Sequence, residues 1–514
     1  MSQSPSDQPK ATPPASGRVI LGDRAVAFES IHSDARRIAS GLADAGMSAG
    51  STLAIMLRND EAFFTATVAA ALIDATATPI NWHFTADEVA YLLTDCEARA
   101  WIVHADLWRR VGADIPQDVL AGLLVLVVET PDEIAAAFNI AAKDQTVPAD
   151  AINLAAWQAR FPEWDGPPPQ PRNAMIYTSG TTGRPKGVKR IGVVGVTRRG
   201  NYNAFVKGAR TLLVAPMYHS APNRCAVSSF FMGGDIILQP RFDAEAMLAL
   251  IERHRITHMF VVPTMLVRLQ KLPADVRARY DVSSLEHVVH AGAPCPADVK
   301  RAIIEWWGPV VYEYYGGTET GAVTYCTSAE TLRKPGTVGC AVPDATIRIF
   351  DEKGQECPPG VSGEVYMRLH TLPDFTYQGL PEERRKVEHE GLITCGDVGH
   401  LDEDGYLFLT DRKKDMVISG GVNIYPAQVE VAMLRHPAIL DCAVFGLPDA
   451  DMGEKVVAAV QVAPGAALTL ADLRASLEGQ IATYMIPRDL FVLDALPRDP
   501  SGKMFKRKLR DHFA

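Results

Sequence analysis

The sequence has no unbroken apolar run long enough to cross a bilayer. Its longest aliphatic stretch, VLAGLLVLVV at residues 119–128, has only 10 residues, whereas a membrane-spanning helix needs about 20. This stretch predicts a buried strand. The first seventeen residues are polar and rich in proline and serine, without the apolar centre of a signal peptide. We therefore expect a disordered tail over residues 1–17, no transmembrane segment and a cytoplasmic protein.

Paired cysteines and basic clusters are also missing. The 8 cysteines are scattered and no Cys-x-x-Cys pair occurs, so free thiols in a reducing compartment are expected rather than a disulfide frame or a zinc site. The net charge is -10 and no run of basic residues stands out, which argues against a nucleic-acid partner. Whether the chain forms a homodimer stays open.

The length and the hydrophobic pattern indicate more than one domain. The chain has 514 residues, 47% of them hydrophobic, which exceeds what one core usually organises. Between about residues 51 and 315, short apolar runs alternate with amphipathic ones such as DAEAMLALIERH and PADVKRAIIEWW. This alternation predicts mostly parallel sheets covered by helices. Short strands and turns over residues 335–409 indicate a small barrel-like unit.

The pattern changes again after Asp411. A basic, polar segment, DRKKDMVISGGVNI, is followed by a helix, two strands and a second helix, an order typical of a compact α+β unit. We therefore predict an α/β protein with a large N-terminal domain over residues 18–411 and a small C-terminal domain over residues 412–514.

The stretch YTSGTTGRPKGVKR, residues 177–190, has neither helical nor strand periodicity. Glycines let backbone N–H groups turn toward one point, and hydroxyls add uncharged donors. A neighbouring lysine, here Lys186, makes such a concavity attractive to phosphate. The spacing is not the Walker pattern. The stretch predicts a phosphate-binding loop of another kind, against the plainer alternative of a flexible, hydroxyl-rich loop.

Four motifs in order resemble the adenylate-forming superfamily, which holds acyl-CoA synthetases, amino-acid adenylation domains and firefly luciferase. They are the phosphate loop, YEYYGGTETG (residues 312–321), TCGDVGHLDEDGYLFLTDRKKDMVISGGVNIYP (394–426) and PRDPSGKMFKRKLR (497–510). The chain most resembles the AMP-forming acyl-CoA synthetases. This resemblance implies that the C-terminal domain is mobile and that the active site lies between the two domains.

The resemblance implies a reaction in two halves. A carboxylate attacks the α-phosphate of ATP, with Mg²⁺ bound, and gives an acyl-adenylate and pyrophosphate; the thiol of CoA then takes the acyl group and releases AMP. The implied partners are a small carboxylic acid, ATP and CoA. Two alternatives stay open: an acyl-AMP ligase that loads a separate carrier protein, and a non-catalytic nucleotide-binding protein.

The resemblance also implies roles for individual residues. Catalytic roles fall on Lys503, which bridges the carboxylate and the α-phosphate, and on Glu319 and Thr318; the metal ligands are Thr178 and Glu319. The ATP or AMP contacts fall on Thr178, Ser179, Gly180, Thr181, Thr182, Gly183, Lys186, His290, Gly292, Ala293, Pro294, Tyr314, Tyr315, Gly316, Asp397 and Arg412. The acyl pocket includes Tyr218, His219 and Gly317, the hinge is Lys414, and the CoA tunnel is lined by Ser419, Gly420 and Gly421.

Plainer interpretations stay open for two of these residues. His290 is equally expected as an ordinary strand-end histidine, and His219 as a structural hydrogen-bonding residue. The chain also departs from the family pattern at two positions. Gln428 stands where the family usually has glutamate, and Met485 replaces a frequent lysine, which weakens the expected contact to a CoA phosphate.

The nature of the acid is indicated by the stretch APMYHSAP, residues 215–222. Amino-acid adenylation domains place an aspartate here to pair with the substrate ammonium group, and this stretch has no carboxylate. An unpaired buried ammonium is costly, so amino acids are disfavoured. The stretches EYYGGTE and GVKR resemble synthetases for long or bulky acids. We expect a medium- or long-chain fatty acid, or a ring-containing acid of the steroid-side-chain, bile or aryl type.

Overall fold

The computed structural model describes residues 16–167, 169, 173–178, 184–192, 206–498 and 504–514. Six predicted site residues lie outside the described residues: Ser179, Gly180, Thr181, Thr182, Gly183 and Lys503. Most of the predicted N-terminal tail also lies outside them. Within the described ranges no helix is both long and apolar enough to cross a membrane.

The chain up to Arg412 contains most of the secondary structure. Its strands are β1 (Arg18–Leu21), β2 (Arg24–Ala27), β3 (Thr52–Met56), β4 (Thr76–Pro79), β5 (Ala98–His104), β6 (Leu124–Val128), β7 (Ile152–Asn153), β8 (Ile176–Thr178), β9 (Lys186–Arg190), β10 (Thr211–Leu213), β11 (Ile236–Leu238), β12 (His258–Val261), β13 (His287–His290), β14 (Val311–Glu313), β15 (Gly316–Gly317), β16 (Gly321–Ala322), β17 (Thr324–Tyr325), β18 (Thr337–Ala341), β19 (Ala345–Phe350), β20 (Gly363–Leu369), β21 (Phe375–Tyr377), β22 (Glu388–His389), β23 (Leu392–Leu401) and β24 (Tyr406–Arg412). Its helices are α1 (Phe28–Asp44), α2 (Glu61–Leu72), α3 (Ala86–Asp95), α4 (Ala105–Val111), α5 (Gln117–Leu120), α6 (Asp132–Phe138), α7 (Ala142–Gln145), α8 (Leu154–Gln158), α9 (Ser220–Met232), α10 (Ala244–His254), α11 (Pro263–Gln270), α12 (Ala274–Arg277), α13 (Ala297–Trp307), α14 (Ser328–Arg333) and α15 (Pro381–Lys386).

Two sheets of mostly parallel strands form the large N-terminal part. One has the order β14-β13-β12-β10-β11-β1-β2 and is parallel except at the β1–β2 edge; the other has the order β4-β3-β5-β6-β7 and is parallel throughout. Helices lie between successive strands, as a parallel sheet requires. The predicted helices α10 and α13 are confirmed, and α10 begins at Asp243, whose side chain accepts a hydrogen bond from the Ala246 N–H. The predicted parallel α/β architecture is therefore confirmed.

The two parallel sheets share a core that includes α1, α2 and α9. Phe28, Phe64 and Phe230 pack there, with Phe230 ring centroids 4.3 Å from Phe28 and 5.4 Å from Phe64. All three rings are buried. Because aromatic rings bury large apolar areas, this cluster holds α9 in place, and the N-terminal end of α9 reaches the site described below.

The stretch of residues 119–128 is a strand only in part. Its first residues finish α5, a turn follows at Gly122 with φ of 81°, and the remainder is β6. A glycine in the left-handed region ends the helix and turns the chain, which the apolar composition alone does not reveal. The prediction of one continuous buried strand was wrong for its first half.

The barrel-like unit is confirmed as an antiparallel sheet of order β17-β18-β24-β23-β20-β19, with β22 pairing to β23. A smaller antiparallel sheet, β21-β9-β8, lies beside it. In the larger sheet Asp397 of β23 is directly opposite Arg412 of β24. This register places two predicted nucleotide contacts next to each other.

The C-terminal part is a compact α+β unit, as predicted. Its strands are β25 (Val417–Ser419), β26 (Val422–Ile424), β27 (Ile439–Asp449), β28 (Gly453–Val462) and β29 (Asp489–Val492), and its helices are α16 (Pro426–Leu434), α17 (Leu470–Leu477) and α18 (Lys506–Phe513). The strands form one sheet of order β26-β25-β28-β27, with β29 parallel to β28.

Polar contacts join the two parts. The Lys271 ammonium donates to the Ile439 carbonyl, and the Arg435 Nε lies 3.6 Å from an Asp298 carboxylate oxygen. The predicted boundary at residues 411–412 falls at the end of β24, where the chain leaves the antiparallel sheet. This boundary stays a prediction.

Candidate active site

The predicted phosphate loop is closed by a two-stranded hairpin. Strands β8 and β9 pair so that Thr178 lies opposite Lys186. The Thr178 hydroxyl also lies 3.5 Å from the Lys186 carbonyl oxygen. Thr178 and Lys186, which flank the predicted phosphate loop in the sequence, are therefore neighbours in the structure. At the base of the hairpin the Tyr177 hydroxyl donates to Asp95 of α3 at 2.5 Å.

Lys186 is buried, and its ammonium is paired with a carboxylate. The Nζ donates to the Glu383 Oε2 at 2.8 Å and lies 5.2 Å from the Tyr377 ring centroid. Hydrogen bonds from Lys186 and Lys386 lower the pKa of Glu383 to about 2. The Glu383 carboxylate thus holds the Lys186 ammonium beside the predicted phosphate loop. A phosphate group is an anion that can take the place of this carboxylate.

Glu319 contacts both the hairpin and the neighbouring strand β21. Its Oε1 accepts a hydrogen bond from the Tyr377 hydroxyl at 3.1 Å and lies 3.4 Å from the Thr178 hydroxyl. Burial, and then the Glu319 charge, raise the pKa of Tyr377, so this phenol stays a donor. The two predicted metal ligands, Thr178 and Glu319, are therefore adjacent.

Arg190 fixes the backbone beneath these groups. Its guanidinium donates to the carbonyl oxygens of Glu319 at 2.7 Å and Pro373 at 3.2 Å, and also to that of Thr318. Burial lowers the pKa of Arg190 to about 10. Sequence analysis did not identify Arg190, Tyr377 or Glu383 as site residues. Their partners are distant in the chain, and Tyr377 and Glu383 belong to no recognised motif. Arg190 lies at the end of one, but the motif does not show what its side chain contacts.

The second end of the site is formed by Tyr315, Asp397 and Arg412. The Tyr315 hydroxyl donates to the Asp397 Oδ2 at 2.7 Å, and the Arg412 Nε lies 3.3 Å from the Asp397 Oδ1. Both Tyr315 and Asp397 are largely buried. Burial and the Asp397 charge raise the pKa of Tyr315 well above its usual value. The predicted nucleotide residues of two separate motifs are thus brought together.

Gly317 lies close to both Glu319, at the phosphate-loop end of the site, and Cys395, which is near Asp397 at the other end. A Cβ added at Gly317 would lie 2.7 Å from the Cys395 Sγ and 3.3 Å from the Glu319 Oε2. A larger residue would therefore displace both neighbours. Gly316 and Gly317 form strand β15, which pairs with β16. Cys395 is partly buried beside Gly317, and this burial raises the pKa of its thiol.

His290 lies at the end of β13 with its side chain buried. Burial lowers its pKa to about 4, and its Nδ1 lies 3.9 Å from the Glu313 Oε1, which belongs to a buried pair with Lys300. The structure therefore places the imidazole beside this ion pair. The following Gly292 and Pro294 are exposed and Ala293 is partly so.

Tyr314 belongs to the same surroundings, since its N–H donates to the His290 carbonyl at 3.3 Å. Its ring centroid lies 6.4 Å from that of Phe260. The segment between β14 and β15, which contains Tyr314 and Tyr315, is thus joined to the end of β13.

The predicted acyl residues precede α9. Tyr218 is buried with its ring edge-on to Trp82, at 6.0 Å between centroids, and His219 is the residue before the first turn of α9. The preceding backbone is held by Asn59, another residue that sequence analysis missed. Its side-chain amide donates to the Ala215 carbonyl and its carbonyl accepts from the Met217 N–H, both at 3.1 Å.

The predicted hinge and tunnel residues lie at the start of the C-terminal part. Lys414 lies in a single 3₁₀ turn, Lys413–Asp415, and burial lowers its pKa. Ser419 is buried, and the Gly420 N–H donates to the Met452 carbonyl at 2.8 Å. Gly420 and Gly421 have φ of 58° and 78°, in the left-handed region. This hydrogen bond from Gly420 to Met452 lies within the C-terminal part.

The two departures from the family pattern have different surroundings. Gln428 is exposed on α16, whereas Glu430, two residues further on, accepts from the Val444 N–H and pairs with Lys506, both at 2.8 Å. Met485 is buried in the core of the C-terminal part. The position that often carries lysine is therefore an apolar core position in this chain.

The donor set suits a hard cation. No group of three or more histidine, cysteine, aspartate or glutamate side chains that could hold a metal occurs in the described part of the chain. Glu319 and Thr178 instead offer one carboxylate and one hydroxyl. That set fits Mg²⁺, which usually takes one or two protein carboxylates together with substrate phosphate oxygens.

Two family models match the sequence. Residues 7–372 match the model described as AMP-binding enzyme, and residues 428–503 match its C-terminal domain. Among curated proteins the chain is 30% identical to the fatty acid–[acyl-carrier-protein] ligase ScoC of Streptomyces coeruleorubidus, over 97% of this chain and 94% of that protein. It is 31% identical to a feruloyl-CoA synthase of Amycolatopsis, over 97% and 96% of the two chains.

A solved structure has the same fold. The ATP-bound MatB of Rhodopseudomonas palustris superimposes with a TM-score of 0.80 and 27% sequence identity, covering 98% of this chain and 97% of that one. The similarity includes both the large part and the small C-terminal part.

Proposed function

Since the chain belongs to the AMP-binding enzyme family of adenylate-forming ligases, we propose that it joins a carboxylic acid to coenzyme A in two steps through an acyl-adenylate. The observation that carries this proposal is the adjacency of Thr178, Lys186 and Glu319. An ammonium, a hydroxyl and a metal-binding carboxylate converge there from motifs that are more than a hundred residues apart. Such a set suits a triphosphate with its cation.

The nucleoside binds at the other end of the site. Asp397 accepts hydrogen bonds from the two ribose hydroxyls, because a carboxylate offers two acceptor oxygens to a vicinal diol. Tyr315, which donates to Asp397, presents its ring to adenine, and Arg412 adds a charge beside the ribose. The backbone of residues 290–294 and Tyr314 line the adenine pocket, with Gly316 alongside. His290 contributes through its backbone, since its side chain is buried against Glu313 and Lys300.

The phosphates bind at the loop. Lys186, together with residues 178–183, holds the β- and γ-phosphates, and phosphate binding releases Lys186 from Glu383. Mg²⁺ held by Glu319 and Thr178 supplies positive charge that offsets the phosphate oxygens. Arg190 keeps Thr318 and Glu319 in place through their carbonyls.

In the first half-reaction the substrate carboxylate oxygen forms a bond to the α-phosphorus. The bond from that phosphorus to the bridging oxygen of the β-phosphate breaks, and pyrophosphate leaves with the electron pair. Two anions must approach each other, so catalysis rests on positioning and positive charge. We assign to Lys503 the bridge between the carboxylate and the α-phosphate, and to Thr318 a contact to the same phosphate.

In the second half-reaction a thiol adds to the acyl carbon, and AMP leaves. The hinge at Lys414 turns the C-terminal part so that Ser419, Gly420 and Gly421 line the path of the thiol. CoA is the proposed acceptor. The relative that carries the name of a carrier-protein ligase supports loading of a separate carrier protein as the second candidate.

The acid lies between α9 and Gly317, next to Tyr218 and His219. A medium- or long-chain fatty acid, or a ring-containing acid of the steroid-side-chain, bile or aryl type, is the proposed substrate. Free amino acids are excluded from this proposal because residues 215–222 offer no carboxylate for an ammonium group.

The test is a pyrophosphate-release screen of the purified chain with ATP and Mg²⁺ across fatty, aryl, steroid-side-chain and amino acids. CoA is then added, and products are identified by mass spectrometry. Pyrophosphate and acyl-CoA with acids that lack an ammonium group are expected. Acyl-adenylate that reacts with a carrier protein and not with CoA favours the second candidate. Failure of every acid to release pyrophosphate favours the non-catalytic alternative.

A further inference from the structure

Helix α9 turns one face away from the core and toward the site. Its buried residues are Pro222, Asn223, Cys225, Ala226, Ser229 and Phe230. The opposite face carries Ser220, Arg224 and Phe231, spaced at helical intervals, and the last two are exposed. Residues four apart lie on the same side of a helix, so Arg224 follows Ser220 on the outward face.

The start of this face touches the catalytic loop. The Thr318 hydroxyl donates to the Ser220 Oγ at 3.0 Å. One turn along, the charge of Arg224 acts on two residues of the site. Burial raises the pKa of Tyr314, and the Arg224 charge opposes this increase. Burial lowers the pKa of Arg190, and the Arg224 charge lowers it further. Arg224 therefore lies one helical turn beyond the Ser220–Thr318 contact, with its charge in electrostatic range of Tyr314 and Arg190.

This corner of the site carries two guanidinium groups. Arg190 is committed to the carbonyl oxygens of Thr318, Glu319 and Pro373. Arg224 makes no hydrogen bond or ion pair with any side chain across the described ranges. A long, exposed cation without a side-chain partner, one turn from the residue that contacts Thr318, is available to an anion on a ligand in the proposed acid site.

We propose that Arg224 binds a second anionic group, a carboxylate, on the acid that this enzyme activates. The inference rests on the proposed function and narrows its substrate class to acids with a carboxylate in the chain or ring in addition to the reacting one. The placement of Arg224 one helical turn beyond Ser220, which contacts Thr318, sets this second group close to the reacting end.

The physical basis is the geometry of the pair. A guanidinium matches a carboxylate with two parallel N–H···O bonds, and this pairing gains strength as the pocket excludes water. An acid without the second carboxylate places an apolar tail against the charge and gains nothing from it. A site with a fixed polar partner discriminates against analogues that lack the matching group.

The experiment compares matched pairs of acids by pyrophosphate release: hexanoate with adipate, and 4-methylbenzoate with terephthalate. For the unaltered enzyme we expect kcat/KM to favour the diacid of at least one pair by about tenfold or more. Arg224→Leu should invert this preference, lowering kcat/KM for the diacid and raising it for the monoacid. Arg224→Lys should retain part of the preference because it keeps the charge. Arg301→Leu, at an exposed arginine of α13, is the control.

The outcomes separate this inference from the proposed function. Monoacids that react as well as or better than diacids, with no change in ratio for Arg224→Leu, overturn the inference alone. A rise in KM for ATP in Arg224→Leu, equal for both acids of a pair, assigns the arginine to a nucleotide phosphate and overturns it as well. Failure of all acids to release pyrophosphate overturns the proposed function, and this inference with it.

Discussion

The ammonium of Lys186 and the carboxylate of Glu383 are 2.8 Å apart, although 197 residues separate them in the chain. Lys186 is the first residue of β9 in the phosphate-loop hairpin, and Glu383 lies in the first turn of α15. Because β21, the strand before α15, pairs with β9, the small β21-β9-β8 sheet brings the two residues together. The pair keeps a buried lysine charge compensated before any phosphate arrives. Under the proposed function, ATP competes with Glu383 for Lys186.

The first prediction follows from this competition. Glu383→Gln should lower the KM for ATP by about three- to tenfold, because the amide holds the lysine less tightly than the carboxylate does. The measurement is initial-rate pyrophosphate release against ATP concentration. Glu382→Gln is the matched control, since Glu382 pairs with Arg385 on the same helix and not with the loop. An unchanged or higher KM for ATP would show that Glu383 positions Lys186 instead of competing for it.

The second prediction concerns the metal ligand. Glu319→Gln should reduce pyrophosphate release by about a hundredfold, because the carboxylate charge beside Thr178 is lost, while far-UV circular dichroism stays unchanged. The rate should be measured over a Mg²⁺ titration. Glu403→Gln, at an exposed turn, is the control. A variant with the original rate and Mg²⁺ dependence would remove Glu319 from the metal site.

The third prediction separates the two halves of the reaction. Lys503→Ala should lose pyrophosphate formation by on the order of a hundredfold or more, yet still convert supplied acyl-adenylate and CoA to acyl-CoA. Gly421→Leu should do the reverse, because a side chain obstructs the thiol path. Lys414→Pro should resemble Gly421→Leu, because a fixed φ hinders the hinge.

The control for Gly421→Leu is a glycine with a matching backbone conformation. Gly465 has φ of 77°, close to the 78° of Gly421, and neither has an atom within 4 Å of an added Cβ. Gly465→Leu therefore carries a similar conformational cost without lying in the proposed path. Lys508→Ala, at an exposed lysine of α18, serves for Lys503. If Lys503→Ala slows both halves equally, the exchange of C-terminal segments between the two steps is refuted.

The fourth prediction is a pH dependence of stability. The folded-state pKa of His290 is about 4, below its ordinary value of 6.5, so the unfolded chain binds more protons between these values. Its contribution to stability is complete above about pH 6.5 and declines as the pH falls toward 4, by roughly 1–3 kcal/mol. Thermal midpoints of the original chain should fall more steeply from pH 7 to pH 5 than those of His290→Gln.

The neighbouring charges are Glu313 and Lys300, whose Oε2 and Nζ are 2.7 Å apart. His512→Gln, at the exposed C-terminal end, gives the slope expected when an unburied histidine is removed. Equal slopes in His290→Gln and the original chain would show that the burial of His290 does not govern this part of the pH profile.

The fifth prediction tests the support of the acid pocket. Asn59→Leu leaves the Ala215 carbonyl and the Met217 N–H without their partner, and each unpaired buried group costs roughly 1–3 kcal/mol. The segment before Tyr218 should shift, raising the KM for the acid by about tenfold while the KM for ATP stays the same. Asn153→Ala, which removes the cap of α8, controls for lost stability. Equal changes in both KM values would contradict a local role.

Periodicity and motifs predicted much of this molecule. The alternation of apolar runs gave the parallel sheets, because strands buried on both faces, such as β3, read as continuous apolar segments. The family resemblance implied that Thr178 and Glu319 hold one metal ion and that Asp397 and Tyr315 contact one nucleotide; the members of each pair are neighbours in the structure, and their roles stay predictions. Thr178 ends strand β8 and Glu319 lies in the turn between β15 and β16, whereas Asp397 lies within β23 and is positioned by its pairing with β24.

Other contacts could not be predicted from one sequence. The carboxylate that pairs with Lys186, and the amide that holds the segment before Tyr218, come from distant parts of the chain and have no local signature. The side chain of His290 lies against Glu313, a direction that depends on the register of β13 with β14. Met485 could be recognised as a departure from a family pattern, but its burial depends on how α17 and β28 pack around it.

Arg412 is both a proposed ribose contact and the last residue of β24, after which the chain leaves the antiparallel sheet. Under the proposed function, a nucleotide that pairs with Arg412 is bound two residues from the hinge at Lys414. Nucleotide binding and rotation of the C-terminal part then share one free-energy cycle: the orientation that binds the nucleotide more tightly is favoured by that nucleotide by the same factor. Replacement of ATP by the acyl-adenylate at this strand end therefore shifts the balance between the two proposed orientations.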